Sequence, residues 1–80
     1  MPTVLIVGPY RFFFYANEGN EPAHIHVARD RALAKFWLHE ASLANSSGFN
    51  AVELTKLLSI VKDHRTKFME AWNGFAATKR

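Results

Sequence analysis

The spacing of apolar residues changes once along this chain, near Asn50, and that change limits the folds open to it. Before it the sequence reads as short strands. Thr3-Val4-Leu5-Ile6-Val7 is a β-branched run closed by the turn pair Gly8-Pro9. Tyr10 to Tyr15 is almost entirely aromatic and too short for a helix. His24 to Ala28 alternates polar and apolar residues, and Leu33 to Leu38 supplies a fourth run. After the change the spacing is helical: Leu54, Leu57, Leu58, Val61, His64, Phe68, Ala71, Trp72 and Phe75 recur every three or four positions. Lys56, Lys62, Asp63, Lys67 and Glu70 fall on the opposite face.

This pattern predicts an α+β domain in which a four-stranded, mainly antiparallel sheet within residues 3–38 precedes one long helix over about 51–76. Two shorter helices broken between Asp63 and Thr66 are the alternative. Asn50 suits the N-cap, and Glu53 three residues on completes a capping box. Residues 39–49 read as a loop, with Asn45-Ser46-Ser47-Gly48 its clearest part. At 80 residues the chain is one domain, 1–80. It contains no cysteine, which excludes disulfide frameworks, thiolate zinc sites and cysteine nucleophiles. No apolar run reaches the roughly 20 residues of a membrane helix, and the four-residue apolar run near Met1 is too short for a signal peptide. The expected location is the cytoplasm, with no membrane partner.

A single helix covers one sheet face, so the other face carries the functional question. Alternation places Tyr10, Phe12, Phe14, Ile25, Val27, Ala34, Phe36 and Leu38 under the helix. The remaining set is Arg11, Phe13, Tyr15, His24, His26, Lys35, Trp37 and, if the strand continues, His39. One reading is RNA binding or a metal-independent ribonuclease: open aromatic rings stack bases, with Tyr15 and Trp37 as the expected stacking platforms and Arg11 and Lys35 as the expected phosphate contacts. His24 and His26 then stand as acid and base for attack of a ribose 2′-hydroxyl on its phosphate, without a metal. This reading requires both imidazoles on one accessible face.

The His-x-His pair also spaces two metal ligands ~6.6 Å apart along a strand. A third ligand would have to come from His39, Glu18 or Glu21, so no bound metal and no cofactor are expected. The same aromatic and basic residue types anchor protein interfaces, with a partner or with a second copy in a homodimer. The plainer readings are surface histidines, an aromatic stripe that is simply core, and a solvated helix face of Lys56, Lys62, Arg65 and Lys67. The net charge of +3 lies wholly after Asn50, where six basic residues meet three acidic ones. That bias is weak support for nucleic acid.

The segment Phe14-Tyr15-Ala16-Asn17-Glu18-Gly19-Asn20-Glu21-Pro22-Ala23-His24-Ile25-His26-Val27 resembles a small bacterial family of domains of unknown function, numbered 4160. The likeness continues through Ala34-Lys35-Phe36-Trp37, Gly48-Phe49, Glu53-Leu54 and Trp72. Members commonly carry two prolines before the first histidine, and Ala23 replaces the second here. Such proteins are often encoded beside a second small protein in pairs that look like toxin–antitoxin modules. The resemblance implies a toxin-like component that binds a small cognate partner. It directs attention to the His24 and His26 face and its rim of Asn17, Glu18, Glu21 and Pro22.

Overall fold

A computed structural model describes residues 3–14 and 22–78. Among the described residues five strands, not four, precede the helical region: β1 (Thr3–Val7), β2 (Tyr10–Phe13), β3 (His24–Arg29), β4 (Ala32–Trp37) and β5 (Ser42–Ser47). They lie side by side in chain order, each antiparallel to the next. β5 occupies the stretch read as loop. Its sequence, SLANSS, has one large apolar residue, and its outer side is mostly exposed. Strand structure there comes from pairing with β4, which a propensity argument applied to polar residues does not detect.

The turns follow from their residues. Gly8 adopts a φ of 56° between β1 and β2, and Asp30 a φ of 54° between β3 and β4, the positive values that two-residue hairpin turns require. Gly48, leaving β5, has a φ of 89°, and a Cβ there would stand 3.0 Å from Ala32 Cα, so glycine is needed on both counts.

The helical region is two helices, α1 (Ala51–Asp63) and α2 (Arg65–Thr78), and not one. The break is at His64, whose φ of −110° and ψ of 17° leave the helical range. Its backbone N–H and its Nδ1 both turn back to Ile60 O, at 3.0 Å each. Leu57, Val61, Phe68 and Trp72 nonetheless all remain buried. The apolar phase therefore runs through the break, and periodicity alone reports a continuous helix.

The expected inner face forms the core. Tyr10, Phe12, Phe14, Ile25, Val27, Ala34, Phe36 and Leu38 pack with Leu57, Val61, Phe68 and Trp72. Phe12 stacks on Phe68 with ring centroids 5.4 Å apart, and Phe14 meets Trp72 edge-on at 5.3 Å. At the start of α1, Asn50 Oδ1 accepts the Glu53 N–H at 2.8 Å, as an N-cap should. The Glu53 carboxylate reaches the sheet, pairing with Arg29 at 2.9 Å and accepting the Tyr10 hydroxyl at 3.1 Å. The Arg29 hydrogen bond is the main reason its pKa is lowered, opposed by desolvation and helped by Tyr10 and the Asn50 N–H. This link ties α1 to β2 and β3.

Candidate functional site: a buried histidine pair beside a small pocket

Register across the sheet sets the geometry. On the face away from the helices, Phe13 stands opposite His26 and His26 opposite Lys35, while His24 stands opposite Trp37. The alternation argument therefore brings His24, His26, Arg11, Lys35 and Trp37 to one side. Tyr15, Asn17, Glu18 and Glu21 lie outside the described residues. Pro22 is exposed at the mouth of β3. His39 does not extend β4. It sits exposed in the turn that leads to β5, because the strand ends at Trp37.

The expected openness is absent. His24 is 0% exposed, His26 6% and Phe13 1%. Their rings form a chain around the end of the sheet. Trp72 from α2 lies 4.9 Å from His24, His24 meets His26 edge-on at 5.1 Å, and His26 stacks on Phe13 at 5.6 Å. Trp37 closes the other side of His24 at 5.8 Å. His24 is the first residue of β3, so a large side chain from the helical layer can reach it past the strand end. The Nδ1–H of His24 donates to Pro22 O at 2.8 Å, since a carbonyl only accepts. A ring with no exposed surface does not touch a substrate in this arrangement.

The two cations expected to meet phosphate lie over rings. The Arg11 guanidinium is 4.5 Å from the Phe13 centroid, and the Lys35 ammonium is 4.6 Å from that of Trp37. Each pair gains a cation–π attraction and occupies part of the ring surface that a base would need. Trp37 remains half-buried.

Beside this cluster is a cavity of about 140 Å³ lined by Pro22, Ala23, Trp37, His39 and Glu40. Its walls are held by hydrogen bonds. His24 fixes Pro22, and Leu38 N–H donates to Ala23 O at 3.0 Å. Arg65 donates from Nε to Leu38 O and from Nη2 to His39 O, both at 2.7 Å. The Ser42 hydroxyl donates to Glu40 at 3.2 Å. The helix break places Arg65 at the first position of α2, where it clamps the turn that carries two of the lining residues.

Sequence reasoning missed Arg65 and the role of Trp72. Arg65 read as part of a solvated basic face, and its long-range carbonyl partners leave no local pattern. Trp72 read as one more member of an apolar stripe. Its unusual size within that stripe was the available signal.

Among the described residues no three His, Cys, Asp or Glu side chains come together as metal ligands, and no helix is long and apolar enough to cross a membrane. No curated protein and no solved structure matches the chain. The family described as Domain of unknown function (DUF4160) matches residues 10–73, a span that takes in four of the five strands, α1 and much of α2. The histidine pair and the pocket beside it thus lie inside the matched span, and the chain belongs to the DUF4160 family.

Proposed function

We propose that this protein is a non-enzymatic interaction module, one component of a bacterial two-gene pair of the toxin–antitoxin type. It binds the small protein encoded beside it through the sheet end built around Trp37. The supporting observation is the burial of His24 and His26, 0% and 6% exposed, within a chain of aromatic rings. Buried imidazoles that fix a rim and fill space serve architecture. An acid and a base must reach the proton they move. The ribonuclease reading of the pair is therefore set aside, and the half-buried Trp37 beside a preformed pocket matches the anchor-and-pocket pattern of protein interfaces.

The test is co-expression with the neighbouring protein, followed by size-exclusion chromatography with light scattering and amide exchange on the complex. The expected result is a stable complex that slows exchange in residues 37–40 and at Ala23. Failure to form a complex refutes the reading, as does RNA cleavage by wild type that His26→Ala abolishes.

A further inference from the structure

The pocket at the sheet end has a size and a lining that specify its ligand more narrowly than the interaction reading does. Its volume of about 140 Å³ is close to that of a cavity that holds one benzene ring, ~150 Å³. It falls well below the roughly 300 Å³ at which pockets for whole small molecules begin. One side chain fits it, and a nucleotide does not.

The lining then selects among side chains. Trp37 and Pro22 offer flat apolar surface, Ala23 a methyl group, and His39 and Glu40 polar groups. Four backbone acceptors around the cavity each already hold a hydrogen bond. Pro22 O is bound by His24, Ala23 O by the Leu38 N–H, and Leu38 O and His39 O by Arg65. A nucleobase is read by several hydrogen bonds to its edges, and these engaged carbonyls do not supply them. Glu40 opposes a phosphate. A cationic side chain would meet Lys35, which already lies 4.6 Å over the Trp37 ring. A ring with one polar tip meets none of these objections.

We infer that the pocket formed by Pro22, Ala23, Trp37, His39 and Glu40 receives a single aromatic side chain, tyrosine or tryptophan, from a partner protein. Its ring lies against Trp37 and Pro22, and its hydroxyl or indole N–H donates to the Glu40 carboxylate. This rests on the interaction reading and adds to it the chemistry of the anchor. Arg65 acts as a positioning residue, holding the turn that carries His39 and Glu40.

The experiment uses the whole chain, labelled with ¹⁵N, titrated with p-cresol and with indole as side-chain probes. Uridine monophosphate and N-ethylguanidinium serve as base and cation comparisons. The expected result is saturable shifts at Ala23, His39, Glu40 and the Trp37 indole N–H for p-cresol and indole, with contacts from probe protons to Pro22 and Trp37. The comparison probes should give weaker, non-saturating shifts. Ala23→Leu, which fills the cavity, should abolish the response. Should that variant fail to fold, the probe-to-protein contacts in wild type decide alone. Shifts that never saturate, or stronger binding of uridine monophosphate or the guanidinium, overturn the inference. If the probes bind but the neighbouring protein does not, the pocket stands and the proposed partner falls. If the neighbour binds without moving the pocket signals, the pocket inference falls and the interaction reading stands.

Discussion

Replacing His24 with alanine separates an architectural histidine from a chemical one. The substitution removes the Nδ1–H bond to Pro22 O, made at 2.8 Å. Pro22 is exposed and its carbonyl can be resolvated, so this loss is about 1 kcal/mol. It also removes a ring that packs against Trp72, His26 and Trp37 and has 0% exposure. The cavity left there costs about 2 kcal/mol, the low end of large-to-alanine changes because imidazole is less apolar than leucine. The sum, about 3 kcal/mol, is a large part of the roughly 4–12 kcal/mol expected for a domain of this length. It should lower the melting temperature by roughly 12–24 °C. Urea unfolding followed by the fluorescence of Trp37 and Trp72 measures it, and the midpoint should fall with little change in slope. A loss below about 0.5 kcal/mol, the range of ordinary surface changes, would refute the argument. It would mean that the ring is not held by its neighbours and would return His24 to the list of chemical candidates.

Arg65→Ala should cost about 1–2 kcal/mol, because two charge-assisted bonds to Leu38 O and His39 O are lost near the surface. Amide exchange in residues 38–41 should speed up, and Arg65→Lys should not restore protection, because lysine lacks the fork that spans both carbonyls. Phe68→Ala, at a fully buried site stacked on Phe12, should cost about 3–5 kcal/mol and leave the chain largely unfolded at 37 °C by circular dichroism. Glu53 has its pKa lowered chiefly by Arg29, so its contribution is present above the ordinary carboxylate range and is lost as pH falls through its depressed folded value. Acid titration of Glu53→Gln should therefore show a shallower loss of stability below about pH 4 than wild type. Exhaustive chelation should leave the melting temperature of untagged protein unchanged, since among the described residues no three His, Cys, Asp or Glu side chains come together as metal ligands.

What the sequence made legible was whatever is encoded by local alternation. Phe12, Ile25 and Phe36 could be assigned to the helix side, and His26 and Lys35 to the other, because a strand reverses side at every residue. Asn50 was legible as a cap because its partner is only three residues away. The break at His64 leaves the apolar phase intact, so two helices broken between Asp63 and Thr66 were legible only as the alternative to one long helix. Two features escaped for a shared reason: each is decided by a distant segment. β5 exists because β4 offers an edge to Ser42–Ser47, whose own residues favour no strand. The burial of His24 depends on Trp72, 48 positions further along, so alternation could place the ring on a side but could not say what closes over it.

The order of strands in the sheet has a consequence for how the protein is made. Every strand pairs with its neighbour in sequence, so each hairpin can close as soon as its second strand emerges from the ribosome. The layer that shields Phe12, Ile25 and Phe36 is supplied by α1 and α2, which are synthesised after all five strands. At ~5–20 residues per second, a sheet with one bare apolar side persists for seconds on each nascent chain. The interval between β5 and Trp72 is therefore when this protein most needs a chaperone or a waiting partner. A ribosome stalled within α1 would release a sheet prone to stick to its own kind.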